Sequence, residues 1–594
     1  MARKKKEEVK DFTPSKYQLA IYDFIQHGVG NLVVGAAAGA GKTWTIIKCL
    51  DLIPSDKKVL MAAFNTDIVK ELKKKVKGKE NVDIRTLHSL GLLMLRNNFP
   101  EKKLMIETYK YSSHIKENIK TYSTINTYAL GNNYSTYINN IEKYVDFGRF
   151  YLCQTIKDLD FIERRYAINT LADEKEVALK VMDWGKDELD FIDYVDMVWL
   201  PNALYLKPIR LLFDYIFIDE CQDLNRAERE LVLKCFKMGT RMISVGDKNQ
   251  CVYSFSGSDP ESFEKLLAIP NTITLPLSIS YRCSKNIVEF AKKLVPSIEA
   301  NDDGREGVVL YDVPLSEVKD GDMVICRNNA PLIKVYNEFI KNGKKAFIRG
   351  KEMGSNLKTY VKSTKQAELN RTCVKDGVFA RLYNDLFVTR NKIMEQSGID
   401  AETAMDSPII ERKLDMIRTL DVLSEGISTA EELIGKIDSI FPKRDKKEGI
   451  ALSTIHKAKG LEADNVYIVC KSLMPSKSAK ANWEIEQENN LMYVAYTRAK
   501  NKLGFIDEEA FKDFDPSSLN SKRTLERMET IVNNTLGKST KMVVNAATAK
   551  TIIERAKTID IKQQKRNIVS MNNKPKKNLN SFSDITKRRN IKRK

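Results

Sequence analysis

The stretch that most constrains the fold is residues 31–52, NLVVGAAAGAGKTWTIIKCLDL. Its apolar start predicts a short buried strand, its middle a loop of small residues, and its end a helix that begins at Lys42. Within it, AAAGAGKT at residues 36–43 matches the P-loop pattern, with alanine where the first glycine usually stands. A flexible turn that matches by chance is the alternative, but the strand and the helix supply the context that the motif requires.

These eight residues predict a phosphate-binding loop. Small side chains let backbone N–H groups approach phosphate oxygens, and the helix N-terminus adds positive partial charge. Lys42 would reach the β and γ phosphates, and the Thr43 hydroxyl would bind Mg²⁺. We therefore expect ATP and Mg²⁺ as ligands. The residues of the loop are Ala36, Ala37, Ala38, Gly39, Ala40, Gly41, Lys42 and Thr43.

Short apolar runs alternate with helical patterns on both sides of the chain's middle. The predicted strands of the first series are residues 58–64, 82–85, 215–218 and 242–245. Such alternation predicts a parallel sheet with helices on both faces and with ligands at the carboxyl ends of its strands. Phe64, Thr86 and His88 fall at such ends.

Two adjacent carboxylates follow a strand of this series. Asp219 can hold Mg²⁺, and Glu220 can orient or deprotonate an attacking water. An acidic turn is the plain alternative, which the P-loop in the same sheet disfavours. After the next strand, Gln250 is positioned to sense the γ phosphate, and Tyr253 and Phe255 could project their rings from a loop.

A second series of strands and helices has no P-loop of its own. Its predicted strands are residues 272–279, 308–311, 323–326, 345–349, 450–454 and 466–469. A helix over about 484–500 ends near Arg498, which we predict reaches an ATP bound to the other sheet. An arginine that completes such a site contributes about 10³ to 10⁵ in rate. The helix dipole alone would also favour an arginine there.

The formal charge of +19 is uneven along the chain. Residues 541–594 hold 16 Lys and Arg against 3 Asp and Glu, a net charge of +13 that leaves +6 for the other residues. A basic protein favours a polyanionic partner, with nucleic acid as the first candidate. A solvated tail that aids solubility is the alternative, and we expect the tail to be mostly disordered.

Other classes of protein fit the sequence poorly. No apolar run approaches the roughly 20 residues of a membrane helix, and the start MARKKKEEVK lacks the apolar core of a secretory signal. Nine cysteines without a CxxC pair and four scattered histidines argue against a disulfide framework or a metal cluster. We expect a cytoplasmic protein, in a bacterium or a virus-infected host cell, with no membrane partner.

Taken together, these stretches resemble the UvrD/Rep/PcrA group of superfamily 1 DNA helicases. The resemblance spans residues 18 to about 502, while the helical insertions and the tail match by position only. The motifs that carry it, in order, are AAAGAGKT, TLHS, LDFIDYV, FIDECQD, VGDKNQCVYSFSG, SYR, STIHKAKGLEADNVYIV and LMYVAYTRAK.

The resemblance implies an α/β fold with two RecA-like P-loop NTPase domains, each a parallel sheet with helices on both faces. Each domain would carry an inserted helical subdomain, and a basic C-terminal tail would follow. ATP would bind between the two domains. The expected boundaries are 1–95 with 201–277 for the first domain, 96–200 for its insertion, 278–354 with 449–536 for the second domain, 355–448 for its insertion, and 537–594 for the tail.

The resemblance also implies roles for individual residues. The catalytic set would be Lys42, Glu220, Gln250, Arg282 and Arg498, the last three at the γ phosphate. Gln18 and Tyr281 would hold adenine, Glu462 the ribose, and Thr43 and Asp219 the Mg²⁺. Bases of single-stranded DNA would stack on Phe64, Tyr253 and Phe255. The strand's path would be lined by Thr86, His88, Thr454 and His456.

The implied activity is ATP-dependent stepping from 3′ to 5′ on single-stranded DNA, with unwinding at junctions with duplex. Replication or repair proteins are candidate partners of the basic tail, and a monomer or weak oligomer is expected. A protein-displacing translocase and an RNA helicase of the same superfamily are alternatives. An ATP-gated nucleic-acid-binding module, with its affinity in the tail, is a third. The strand-separating aromatic is not assigned, and Phe511 and Phe514 are candidates.

Overall fold

Two six-stranded parallel sheets organise the chain, as seen in a computed structural model. The structure describes residues 13–63, 65–128, 130, 134–166, 168–371, 373, 376–441, 448–509 and 511. All of these lie in one compact unit, Met1–Met528. The predicted tail, Phe64 and Phe514 lie outside the described residues.

The first part of the chain builds one sheet and one block of helices. Its elements are α1 (Lys16–His27), β1 (Asn31–Ala36), α2 (Lys42–Asp51), β2 (Val59–Ala63), α3 (Thr66–Lys75), β3 (Val82–Thr86), α4 (Leu87–Asn98), β4 (Met105–Ile106), α5 (Lys110–Tyr122), α6 (Tyr134–Phe150), α7 (Ile156–Arg165), α8 (Glu174–Asp187), β5 (Phe191–Ile192), α9 (Tyr194–Ala203), β6 (Phe213–Asp219), α10 (Arg226–Lys234), β7 (Phe236–Gly246), α11 (Ser262–Leu267) and β8 (Thr272–Leu277).

The remaining described chain builds the second sheet and a second block of helices. Its elements are β9 (Ile279–Ser280), α12 (Lys285–Ala291), β10 (Glu299–Ala300), β11 (Val308–Val313), β12 (Met323–Cys326), α13 (Asn329–Lys341), β13 (Ala346–Ile348), α14 (Lys351–Ser363), α15 (Val378–Ser397), α16 (Ala401–Met405), α17 (Pro408–Leu423), α18 (Ala430–Ile440), β14 (Ile450–Thr454), α19 (Ile455–Ala458), β15 (Ala463–Ile468), α20 (Asn482–Tyr496) and β16 (Ala499–Ile506).

The first sheet has the strand order β3-β2-β6-β7-β1-β8, and every pairing in it is parallel. Strand β1 is buried except at the half-buried Gly35, and its apolar side chains alternate between two hydrophobic clusters. Leu32 and Val34 belong to one cluster, and Val33 belongs to the other. Burial on both faces is what a parallel strand between two layers of helices requires. The predicted α/β fold with parallel sheets is therefore confirmed.

The second sheet has the order β11-β16-β15-β12-β14-β13 and is also parallel. Here the predicted helix over about 484–500 is too long. Helix α20 ends at Tyr496, and Ala499–Ile506 forms β16, between β11 and β15. The first half of β16 is polar and basic, so its sequence does not show the apolar run typical of an inner parallel strand. Pairing on both sides decides its conformation.

The prediction that residues 272–279 open the second sheet is wrong. The stretch divides into β8, which pairs with β1 at the edge of the first sheet, and β9, which pairs with β10. Pro276 lies opposite Gly35 in β8. An edge strand tolerates a proline because one side of the strand needs no ladder hydrogen bonds.

The helical block between β3 and β6 has a hydrophobic cluster of its own, which includes Ile141, Val177 and Trp199. Beside this cluster, the fully buried Arg149 guanidinium lies 2.8 Å from Asp193 and 3.1 Å from Asp196. Asp193 also caps α9. The LDFIDYV stretch therefore supplies a buried charge cluster that joins the helices of this block.

A capping carboxylate joins the second helical block, α14 to α18, to helix α13, which follows β12 of the second sheet. Asp415 of α17 accepts hydrogen bonds from the backbone N–H groups of Asn329 and Ala330, at the start of α13. The N–H groups at the start of a helix have no acceptor within the helix, so Asp415 of α17 supplies the acceptors that α13 lacks. No helix in the described ranges is long and apolar enough to cross a membrane.

Candidate functional site

The loop between β1 and α2 is shaped by two glycines. Gly39 and Gly41 have φ values of +74° and +78°, a region that favours glycine. A Cβ atom on Gly39 would lie 2.4 Å from the Cβ of Arg282, which follows β9. The Tyr281 N–H donates to the Gly39 carbonyl at 2.9 Å. The loop is thus a cradle that leaves no room for a side chain at Gly39.

Lys42, the first residue of α2, faces the carboxylates at the end of β6. Its Nζ lies 2.8 Å from both carboxylate oxygens of Glu220. Burial lowers the pKa of Lys42, but Glu220, Asp219 and Asp247 outweigh it, so the net pKa is raised. Lys42 is therefore held as a cation among three carboxylates. Thr43 follows it at the same helix N-terminus.

The two carboxylates after β6 have different environments. Burial, followed by the charge of Glu220, raises the pKa of Asp219. Burial also acts to raise the pKa of Glu220, but Lys42 and then Lys459 reverse this and lower it below the ordinary value. Glu220 is thus the more readily ionised carboxyl group of the pair. Carboxylate and hydroxyl oxygens, as on Asp219 and Thr43, are ligands that Mg²⁺ prefers.

A chain of side-chain hydrogen bonds runs from Glu220 to Arg498. Gln222 donates to Glu220 at 2.7 Å, and its own Oε1 accepts from the Asp247 N–H at 3.0 Å. Gln250 donates to the Asp247 carboxylate at 2.7 Å. Arg498 donates to Gln250 Oε1 at 3.4 Å. The chain connects the carboxylates after β6 with the start of β16 in the second sheet.

Arg498 is 1% exposed and is held mainly by helix α20 and by the loop before β15. It donates to the carbonyls of Val494 at 2.9 Å and Leu461 at 3.1 Å. Burial, followed by the nearby Arg282, lowers its pKa to about 10. An arginine held next to a second arginine favours an anion between them, because each cation raises the energy of the other.

Arg282 and Glu462 form an ion pair of 2.6 Å, and Lys500 lies 2.8 Å from the other oxygen of Glu462. Gln18 is fully buried; its Nε2 donates to Thr45 at 3.1 Å, and its Oε1 accepts from the Ser15 N–H at 2.9 Å. To bind adenine as predicted, the Gln18 amide would have to give up its hydrogen bond to Ser15 or to Thr45.

Several residues around this site were not assigned by sequence reasoning. Tyr493 of α20 accepts a hydrogen bond from the Ala38 N–H at 2.9 Å. Lys459 forms an ion pair with Asp223 and donates to the Gln250 carbonyl at 2.7 Å. These residues, with Gln222 and Asp247, lie inside the quoted motifs. The sequence marked these residues only by their place in the motifs, because a contact between residues on two different sheets produces no local sequence pattern.

Four of the predicted DNA-contacting residues come together beside this site. Tyr253 Oη donates to the His456 carbonyl at 3.0 Å, and the Phe255 and His456 rings are perpendicular at 5.6 Å. Phe255, Thr454 and His456 line one groove. Burial, followed by Arg327, lowers the pKa of His456 to about 3, so this imidazole is neutral at physiological pH.

The other predicted DNA contacts lie at the first sheet's edge or outside the described residues. Thr86 ends β3 and caps α4, accepting from the Ser89 N–H at 3.2 Å. His88 lies in the first turn of α4, where burial lowers its pKa. Phe64, at the end of β2, is outside the described residues.

Two family models match the chain, and together they cover more than half of its length. One describes the UvrD/REP helicase N-terminal domain and matches residues 20–268. The other describes the UvrD-like helicase C-terminal domain and matches residues 437–510. The first match contains every strand of the P-loop sheet except β8, and the second contains the residues from β14 to β16.

Individual relatives are distant. F-box DNA helicase protein 1 of Schizosaccharomyces pombe is 24% identical over 80% of this chain, which spans 55% of that protein. ATP-dependent DNA helicase PcrA of Bacillus subtilis is 25% identical over 45% of this chain and 37% of its own length. ATP-dependent DNA helicase Rep of Buchnera aphidicola is 22% identical over 80% of this chain and 92% of its own length.

Proposed function

The chain belongs to the UvrD/Rep-like helicases, and we propose that it is an ATP-dependent DNA helicase that steps from 3′ to 5′ on single-stranded DNA. ATP would be hydrolysed between the two parallel sheets. Closing and reopening of this interface would move the strand. The observation that carries the proposal is the hydrogen-bond chain from Glu220 through Gln250 to Arg498, which joins the P-loop sheet to the second sheet.

On this proposal, Lys42, Glu220 and the two arginines have separate tasks in ATP hydrolysis. Lys42 would exchange its bond to Glu220 for the γ phosphate, which frees Glu220 to accept a proton from the attacking water. The lowered pKa of Glu220 means that it is ionised at neutral pH, as a general base must be. Arg282 and Arg498 would stabilise negative charge on the phosphoryl oxygens.

Mg²⁺ fits the oxygen ligands at this site. We propose that the Thr43 hydroxyl and the Asp219 carboxylate hold it. The metal would neutralise charge on the phosphate oxygens.

Coupling to DNA would pass through one short segment after β7. Gln250 would contact the nucleotide, while Tyr253 and Phe255 would contact bases, so a shift of this segment acts on both ligands. Lys459 supports this coupling: it donates to the Gln250 carbonyl and lies 4.9 Å above the Tyr253 ring. Stacking on such rings contributes roughly 1 to 3 kcal/mol per base without reading sequence.

The wider biological setting is also a proposal. We propose action at junctions of single- and double-stranded DNA during replication or repair, as a monomer or weak oligomer in the cytoplasm. The basic residues 541–594 would add affinity for DNA or for a partner protein. The domain boundaries given above are part of the same proposal.

Unwinding of matched duplexes with a 3′ or a 5′ single-stranded tail tests the proposal. We expect ATP-dependent unwinding from the 3′ tail only, and none with Lys42→Ala. Unwinding from the 5′ tail would contradict the direction. ATP hydrolysis stimulated by DNA without strand separation would instead indicate a translocase that displaces bound proteins.

A further inference from the structure

A groove beside Phe255 is built from both sheets and from the second helical block. Phe255 comes from the loop after β7, His456 from α19, Trp483 from the start of α20, and Arg412 from α17. Trp483 has no role in the site described so far. Its ring is half-buried and forms part of the groove wall.

The first helical block reaches the same place through Arg165, the last residue of α7. Its guanidinium carbon lies 5.1 Å from the centre of the Trp483 ring. Phe161 and Tyr166 lie 5.8 and 6.0 Å from the same carbon. Arg165 thus has three aromatic neighbours, and cation–π contacts of this kind are favourable.

Two of the hydrogen-bond donors of Arg165, Nε and Nη2, are nevertheless buried without a hydrogen-bond partner among the described residues. A buried guanidinium donor without an acceptor costs free energy, and aromatic faces do not replace an acceptor. A phosphate would supply oxygens that match the planar fork of donors.

Both sides of this contact are tied to the loop that carries Tyr253 and Phe255. Tyr166, next to Arg165, donates from Oη to the Ser254 carbonyl at 3.1 Å. Gln487, one turn after Trp483, donates to the Val252 carbonyl at 2.7 Å. Arg165 and Trp483 are therefore held in a fixed position relative to the predicted base-stacking rings.

The facing wall of the groove carries a cation, Arg412, beside carboxylates that include Glu411 and Asp415. Arg412 is exposed and forms no ion pair with another described residue. Burial, and then the charge of Arg412, lower the pKa of Lys143 in α6, so the two cations lie near each other. Neither forms an ion pair with another residue in the described part of the chain, and two such cations favour a polyanion between them.

We propose that Trp483 and Arg165 form a further subsite for single-stranded DNA, in which a base stacks on the indole and the guanidinium binds a neighbouring phosphate. The inference rests on the proposed function and extends it. The subsite lengthens the strand's path from Phe255 towards Arg412. It also gives the first helical block a direct part in holding the strand, through α7.

The test measures oligodeoxythymidylate binding by fluorescence anisotropy, together with quenching of 2-aminopurine placed at successive positions along the strand. Trp483→Ala should weaken binding roughly 5- to 150-fold, since one stacked base is lost. It should also remove quenching at one position while leaving quenching elsewhere. Trp483→Phe keeps an aromatic face and should retain most of both signals, which separates stacking from misfolding.

Arg165→Gln tests the phosphate contact. The slope of log affinity against log salt should become shallower by about 0.7, the value for one phosphate on a single strand. Arg165→Lys should retain the wild-type slope. The matched control is Arg164→Gln, because Arg164 is exposed on the same helix and should leave both affinity and slope unchanged.

The outcomes separate this subsite from the proposed function. If the wild-type protein does not bind the oligonucleotide, the proposed function is wrong. If it binds, but Trp483→Phe, Trp483→Ala and Arg165→Gln all behave as Arg164→Gln does, the subsite is wrong and the function stands. Tighter binding of oligouridylate than of oligodeoxythymidylate would overturn the assignment to DNA.

Discussion

Glu220 has a left-handed backbone conformation, with φ of 51°, directly after the last residue of β6. Such a conformation is costly for a residue with a side chain and is kept where the surroundings hold it in place. Here the Glu220 N–H donates to Asp219 at 3.0 Å, and Lys42 binds the carboxylate. The strained turn therefore aims two adjacent carboxylates at one lysine.

Glu220→Gln should lower the turnover number for ATP hydrolysis by about 10² to 10⁴, the usual contribution of a general base. The amide cannot accept the proton from water, but it keeps the shape of the side chain. Affinity for a fluorescent ATP analogue should change little. Glu230→Gln, an exposed change on α10, is the control and should hydrolyse ATP at the wild-type rate. Normal turnover by Glu220→Gln would contradict the assigned role.

Arg149 offers a prediction about stability at the same scale. Arg149→Ala leaves Asp193 buried without its cation, while Asp196 keeps its ion pair with Lys110, so the free energy of unfolding should fall by about 3 to 5 kcal/mol. Burial already raises the pKa of Asp193 above its ordinary value, with Arg149 opposing the rise. Without Arg149 that folded-state pKa should rise further.

The pH dependence of this loss follows from the sign of the shift. A carboxyl group whose pKa is higher in the folded state loses folding free energy as the pH rises through the window between the unfolded and folded values. The damage from Arg149→Ala should therefore be smaller under acidic conditions than at neutral pH. Urea unfolding at several pH values measures it, with the exposed Arg164→Ala as control. A loss that does not depend on pH would contradict the account.

At the scale of elements, much of the fold was readable from apolar runs. Strands β1, β12 and β14 are short and largely buried on both faces, and their mostly apolar sequences indicate this directly. The apolar pattern could not show which sheet β8 joins, because an apolar strand does not specify its partner; only the boundary at residue 277, implied by the family resemblance, placed it with the first sheet. The apolar pattern also did not indicate β16, because the first half of this strand is polar. Pairing with β11 and β15 stabilises it. Local pattern finds a strand, whereas packing decides its neighbours.

The candidate site shows the same division. The P-loop, the paired carboxylates and Arg498 were found because each lies at the end of a strand or a helix within a compact motif. Tyr493 and Lys459 received no role, because their partners are far away in sequence and lie on the other sheet. The bond of Gln18 to Ser15 follows the capping-box pattern S-x-x-Q and is readable from the sequence, whereas its bond to Thr45 of α2 is not.

The joint between α17 and α13 makes a prediction at this scale. Asp415→Ala removes the acceptor for two buried backbone N–H groups, which should lower the free energy of unfolding by roughly 1 to 3 kcal/mol. Amide hydrogen exchange should accelerate at the start of α13 and in α17. The matched control on the same helix is Asp421→Ala, which breaks only an exposed pair with Arg371 and should cost about 1 kcal/mol or less. Equal effects of the two changes would contradict a joint at Asp415.

For the whole molecule, one hydrophobic cluster runs through both sheets, from Leu32 of β1 to Tyr493 of α20 and Ile468 of β15. Several polar contacts cross between the sheets beside it, among them Arg498 to Gln250 and Lys459 to Asp223. Because these two end on the segments that follow β6 and β7, we expect a change at the nucleotide to be transmitted to the groove beside Phe255.

Lys459→Ala should uncouple the two ligands. It leaves Asp223 without its cation and frees the Gln250 carbonyl, so single-stranded DNA should stimulate ATP hydrolysis less than in the wild-type protein. The measurement is the ratio of steady-state rates with and without DNA. Lys341→Ala, an exposed change at the end of α13 and away from the groove, is the control. A wild-type ratio in Lys459→Ala would show that coupling takes another route.

The central claim is that ATP is hydrolysed across the interface between the two sheets, and Arg498 tests it most directly. The measurement is DNA-stimulated ATP hydrolysis by Arg498→Lys, which keeps the positive charge but loses the guanidinium fork. Provided that its thermal unfolding matches the wild type, the turnover number should fall by about 10³ or more, with ATP affinity nearly unchanged. Wild-type turnover by this variant would mean that the second sheet takes no part in the chemistry.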